Sequence, residues 1–299
     1  MEDLPWARIR APELRGISGW ANSEPLTLAG LEGKTVMLEF WAYTCVNCLR
    51  ALPHVQKWHE KYSGKGLVVI GVHSPQFSFE ADGNNAMEAI RRLGIRFPVA
   101  LDGSLSTWNA YENRYWPARF IIDPEGYISF AHFGEGDYTL TEKMIQDHLG
   151  IKAKFEKEDA PGYLFDQSPG TYAGFRVNTG LGSGLVEDGK GRGVYLDQGE
   201  HDRDVIYPNG QWVQESEYLE LKNPPGQIAY RFNAREANLI LEPLGKGASA
   251  EIFIDGKKAG AISIDRPDIY NVFKDKKYKE RELSVNFSGN VRLYALTFG

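Results

Sequence analysis

Cys45 and Cys48 are the only cysteines of the 299-residue chain, with two residues between them. A thiol pair at this spacing can form half of a tetrahedral metal site, a structural crosslink or a thiol–disulfide exchange centre, or it can simply fill a core. A metal site needs further ligands. His54 and His59 follow, but on a helix they stand about 140° apart and cannot both face a metal held by the cysteines. No second C-x-x-C is present, so no metal is expected. As a crosslink the pair would close a very small loop, which constrains an unfolded chain little. An inert buried pair stays open as the plain alternative.

Exchange chemistry fits the surrounding elements better. TVMLEFWA (35–42) reads as a buried strand, and Leu49, Leu52, Val55, Trp58 and Tyr62 recur at helical spacing just after it. The pair therefore falls where a strand ends and a helix begins. There the first sulfur meets unpaired backbone N–H groups and the positive end of the helix dipole, which favour the thiolate. Cys48 lies one turn on, within reach of the first sulfur. Cys45 is thus the expected attacking thiol and Cys48 the resolving one.

The rest of the first half alternates strand and helix signals. GLVVIGVHS (66–74) and FPVALD (97–102) read as strands, Asn84 to Leu93 as a helix and Leu105 to Tyr111 as a short one. ARFIID and YISFAHF flank the turn Pro124–Glu125–Gly126 as a hairpin, and Thr139-x-x-Glu142 reads as a capping box opening a last helix. This alternation predicts an α/β layer fold over residues 1–153. A polar stretch ending in Pro161–Gly162 predicts a linker over 154–162. Beyond it, from 163 to 299, QIAYRFN, ANLILE, AEIFID, ELSVNF and VRLYALTF alternate strictly, and Asp255–Gly256 signals a hairpin. An all-β sandwich of jelly-roll type is expected there. The Gly-rich region 178–193 reads as a surface loop, and FKDKKYKERE (273–282) as a solvated loop or strand edge.

The net charge of −6 gives no sign of a nucleic-acid or anionic-membrane partner. No stretch approaches the ~18 apolar residues of a membrane span, and the first residues lack a signal-peptide pattern. An extracytoplasmic location is expected if the chain is an excised ectodomain, a cytoplasmic one if it is free-standing.

The run Glu39, Phe40–Trp41–Ala42, Cys45–Val46–Asn47–Cys48 and Pro53 resembles the thioredoxin superfamily, and the helix at 84–93 resembles the insertion of its TlpA-like members. The resemblance implies an α/β thioredoxin fold with an inserted helix and a cofactor-free redox-active disulfide. It implies that Glu39, at a position where Asp is usual, is the buried carboxylate that shuttles a proton for Cys48; the plain alternative is a partner for a nearby Lys or backbone group. It implies that Trp116–Pro117 is the cis-proline facing the cysteines, with Trp41 shielding the disulfide and Trp41, Val46, Asn47 and Trp116 lining the substrate groove. A peroxidase of AhpC/TSA type would need a threonine where Ala42 stands; Thr44 lies elsewhere.

Longer runs, among them WAYTCVNCLRALPHV, GVHSPQFSFE, NRYWPARFIID and the closing LYALTFG, are similar to the soluble C-terminal region of DipZ-type proteins. That resemblance implies a carbohydrate-binding-like second domain. It also implies protein thiols and disulfides as partners, with a CcdA-type membrane donor or a soluble thioredoxin supplying electrons. A glycan would stack on exposed aromatics of the second domain, for which Trp212, Tyr218, Tyr230 and Tyr270 are the candidates. A binding module with a vestigial redox fold is the rival from another class. Potentials across this fold run from about −270 to −120 mV, and Val46–Asn47 does not calibrate one.

Overall fold

The computed structural model describes residues 9–154, 166–187 and 193–299. The chain divides into two compact units, Met1–Gly162 and Tyr163–Gly299. The expected linker, apart from Lys154, lies outside the described residues.

The first unit is a six-stranded sheet flanked by helices. Its strands are β1 (Trp20–Ala21), β2 (Thr35–Trp41), β3 (Leu67–His73), β4 (Val99–Leu101), β5 (Ala118–Ile122) and β6 (Ile128–Phe133), in the order β1-β4-β3-β2-β5-β6. β2, β3 and β4 run parallel, whereas β5 and β6 are antiparallel. β2 is central and buried along its whole length, which explains its continuous apolar run. Val36, Leu38 and Phe40 point to one face, where they pack with Trp108, Tyr111 and Phe120. Glu39 therefore points to the other face.

The helices are α1 (Val46–Tyr62), α2 (Gly83–Arg92), α3 (Ser106–Ala110) and α4 (Tyr138–Leu149). α1 buries Cys48, Ala51, Leu52, Val55, Trp58 and Tyr62, a stripe at helical spacing. α2, inserted between β3 and β4, is capped by the Asp82 side chain, which accepts from the Asn84 N–H. The expected capping box of α4 does not form. The helix starts at Tyr138 behind Asp137, so Thr139 lies inside it. The Glu142 carboxylate is taken instead by Lys61 and by the Tyr62 hydroxyl, each at 2.6 Å. A tertiary partner has outbid the local cap.

The second unit is all-β. Its strands are β7 (Thr171–Tyr172), β8 (Gly184–Glu187), β9 (Gly193–Leu196), β10 (Ile206–Gln214), β11 (Leu219–Pro243), β12 (Ala248–Ile254), β13 (Lys257–Ile264), β14 (Asp268–Ser288) and β15 (Val291–Phe298). They form one continuous ladder, β13-β12-β14-β11-β10-β9-β8, with β15 pairing both β11 and β7. The unit is all-β, as the alternation of its sequence predicts. QIAYRFN and ANLILE are parts of the single 25-residue strand β11, joined across a register shift between Ala234 and Glu236. FKDKKYKERE lies within β14, paired to β11. The supposed loop 178–193 contains β8 and the start of β9, which pair antiparallel. Asp255 and Gly256 both take positive φ, 50° and 74°, as a tight hairpin turn requires.

Among the described residues, no helix is long and apolar enough to cross a membrane.

Candidate active site

The end of β2 and the start of α1 place the cysteines as their spacing predicts. Cys45 is the N-cap of α1, and its sulfur accepts the Cys48 N–H at 3.2 Å. The two are joined as a disulfide, with Cα atoms 5.2 Å apart. Cys45 is 8% exposed and Cys48 1%, so the first cysteine is the more accessible of the two. An N–H aimed at the Cys45 sulfur, on the positive end of a 17-residue helix, stabilises a thiolate there once the bond is reduced.

The Trp116–Pro117 bond is cis. Its loop is fixed from two sides. The Trp116 indole stacks on Trp108 at 4.0 Å and donates to the Ser74 carbonyl at 2.8 Å, while the Pro117 carbonyl accepts from Gly134 N–H at 2.8 Å. Trp116, Val46 and Asn47 are partly exposed. Asn47 accepts from Arg50 at 3.3 Å, and Arg50 also reaches Glu135 at 3.4 Å, which places a mixed-charge rim beside the helix start.

Trp41 departs from expectation. It is fully buried and lines no surface groove. Its indole lies across β3 beside Gly71, where any Cβ would stand 3.1 Å from Nε1, and its ring meets His73 edge-on. His73, stacked on Tyr43, is buried so deeply that its pKa falls to about 4, and it is neutral at ordinary pH.

Glu39 is buried, and its partner is Arg119, directly opposite it on β5. The guanidinium donates to both carboxylate oxygens, Nε at 2.9 Å and Nη2 at 3.4 Å. Arg119 is itself wholly buried, under the rings of Trp58 and Tyr138, and donates to the Gly136 carbonyl. Burial raises the Glu39 pKa, and the guanidinium pulls it back. Arg119 went unrecognised in the sequence. A lone Arg in an apolar strand, ARFIID, two residues after the proline, was the available signal.

A second buried carboxylate was also missed. Glu80 accepts the Thr44 N–H and hydroxyl at one oxygen, at 3.0 and 2.8 Å. Its other oxygen accepts the Gln76 and Phe77 N–H groups, at 2.7 and 3.0 Å. It thereby ties the segment after β3 to the residue preceding Cys45. Burial raises its pKa against these four bonds. Thr44 is committed to Glu80 and is not placed as a peroxidase threonine would be.

In the second unit the expected sugar-stacking aromatics are not free platforms. Trp212 and Tyr230 are core residues, 1% and 0% exposed. Trp212 packs edge-on against Phe287 and donates to the Asn209 carbonyl, and Tyr230 stacks on Phe298 and pairs with the Thr171 hydroxyl. Tyr218 carries the Arg292 guanidinium on its ring at 4.4 Å. Tyr270 is half-buried and donates to Arg266 O. Both faces of this sheet bury aromatics, so alternation alone did not reveal exposure. Among the described residues no group of three or more His, Cys, Asp or Glu could hold a metal.

The first unit thus combines a parallel-centred sheet, a C-x-x-C whose first cysteine caps α1, and a cis-proline at the start of β5. The chain belongs to the thioredoxin superfamily. The Redoxin family model matches residues 10–149, and the model described as Thioredoxin like C-terminal domain matches 168–299. Among curated proteins it is 32% identical over 302 residues to Protein DipZ of Mycobacterium tuberculosis, covering 97% of this chain and 43% of that one. It spans less than half of DipZ's length. It is 30% identical to the thiol-disulfide oxidoreductase ResA of Halalkalibacterium halodurans, over 44% of this chain and 69% of that one. A solved thiol-disulfide isomerase from Corynebacterium glutamicum is 28% identical, covering 48% of this chain and 98% of that one with a TM-score of 0.42.

Proposed function

We propose that the chain exchanges electrons with protein thiols and disulfides through Cys45, with Cys48 resolving. In the reducing direction the Cys45 thiolate attacks a substrate disulfide, forming a mixed disulfide and releasing one substrate thiolate. Cys48 gives up its proton and attacks Cys45, releasing the second substrate thiolate and closing the Cys45–Cys48 bond. Two electrons pass to the substrate. In the oxidising direction a donor thiolate attacks the Cys45 sulfur and the steps reverse. The observation that carries this reading is the Cys45 sulfur held at the helix N-terminus and receiving the Cys48 N–H.

Glu39 is the proposed proton acceptor for Cys48. A carboxyl raised by burial suits that role, because it holds and releases protons nearer neutral pH. Pro117, with Trp116, Val46 and Asn47, shapes the groove that receives the substrate chain. The electron donor is proposed to be a CcdA-type membrane protein or a soluble thioredoxin, and the location extracytoplasmic. The β unit, residues 163–299, serves in this reading as a docking or glycan-binding module beside the redox unit, residues 1–153.

Replacing Cys48 with Ser tests the chemistry. The variant is expected to accumulate mixed disulfides through Cys45, seen as thiol-sensitive adducts on gels and by mass spectrometry. A variant that traps nothing, in a wild-type chain whose disulfide cannot be reduced at any poise, would leave binding as the function.

A further inference from the structure

The second unit contains a polar cleft of about 910 Å³, within the size range of small-ligand sites. It lies between the β8 start, the loop carrying Glu200 to Asp202, and the β12–β14 edge. Its two cations are already spent. Arg231 is paired to Glu280, and Arg281 to Asp255 and Asp275. Among the described residues no cation is paired with Glu200 or Asp202. A third carboxylate, Glu282, meets only the His201 ring, at 3.4 Å. The cleft therefore holds a surplus of negative charge.

Two buried polar atoms without partners belong to residues that line the cleft. His201, with 6% of its side chain exposed, turns Nε2 to the Asp197 carboxylate, at 2.9 and 3.0 Å. Nδ1 of the same ring stands 3.4 Å from the Glu282 carboxylate, so the imidazole sits between two carboxylates. That Nδ1 has no hydrogen-bond partner among the described residues. Ser183, 9% exposed, also leaves its hydroxyl unpartnered. Such orphaned groups destabilise the fold unless something satisfies them. The Ser183 hydroxyl can accept from a donor, and the surplus of carboxylates favours a donor that carries positive charge.

We propose that this cleft binds the ammonium or guanidinium groups of a basic peptide segment, with Glu200, Asp202 and Glu282 supplying the charge and the Ser183 hydroxyl accepting from one donor. The inference deepens the docking reading of the β unit. It is independent of the cysteines.

Fluorescence anisotropy of labelled tetralysine, titrated with the full chain at low ionic strength, tests it. Binding is expected, and it should weaken at least about tenfold in the Glu200→Gln/Asp202→Asn/Glu282→Gln variant. Ser183→Ala, which leaves the net charge unchanged, should weaken it about threefold, as loss of one hydrogen bond would. Melting curves and disulfide reduction should match the wild type in both variants, showing that they fold. Tetralysine that fails to bind, or binds the triple variant as well as the wild type, overturns the proposal. So does chitotetraose binding where tetralysine does not, which would leave the unit a sugar-binding role.

Discussion

At the scale of single residues, the redox centre rests on two buried carboxylates with opposite arrangements. Glu80 is held by neutral donors, Glu39 by a cation. Removing that cation by Arg119→Met should cost about 3–5 kcal/mol, since a buried charge is left unpaired. Urea denaturation would measure it, and adding Glu39→Gln to the same chain should recover much of the loss. The variant should also resolve mixed disulfides more slowly at neutral pH, because Glu39 without Arg119 holds its proton more tightly. His73 sets a pH dependence of the other sign. Unfolded, its ring takes a proton near 6.5; folded, only near about 4. Between these values the unfolded chain binds more protons. The contribution is thus fully present above pH 6.5 and fades as pH falls toward 4, by about 3 kcal/mol in all. Glu39 and Glu80, with raised pKa values, work oppositely and lose their contribution as pH rises above 4.5. Comparing wild type with His73→Leu across pH 4–7 isolates the histidine, and parallel curves would refute its assignment. The cysteines, Trp116–Pro117 and Glu39 were legible because their signals are local. Arg119 and Glu80 were not, because their partners lie 80 and 36 residues away and only strand pairing and chain return bring them together.

At the scale of elements, local patterns located strands and helices well and misjudged what their ends do. The α1 stripe and the Asp255–Gly256 turn follow from spacing and from positive φ. The α4 start did not, because Glu142 has better partners in Lys61 and Tyr62 than in its own helix terminus. β11 was split in two because its bulge carries polar Arg235 and Glu236, which look like a turn. Packing between β2 and β3 also yields a prediction. A Cβ at Gly71 would stand 2.8 Å from Phe97 and 3.1 Å from the Trp41 indole. Gly71→Ala should therefore destabilise the unit by about 1–3 kcal/mol, read as a lower denaturant midpoint, with a displaced Trp41 altering intrinsic fluorescence.

At the scale of the whole molecule, two cores are built from separate stretches of chain. The first draws on buried apolar residues from Ala21 to Ile145, the second on residues 173 to 298. The disulfide and the residues around it all belong to the first. A fragment ending at Lys154 should accordingly keep the reduction potential of the full chain, measured in graded thiol–disulfide buffers. A shifted potential would mean that the β unit acts on the redox centre. Within that β unit, β11 shares hydrogen bonds with β10, β14 and β15 along 25 residues. No neighbour can peel away without exposing part of this one strand. The unit is thus keyed to a common spine: it opens as a whole or at its fringe, β13 and β8, and the amides of β11 are the last to meet solvent deuterium.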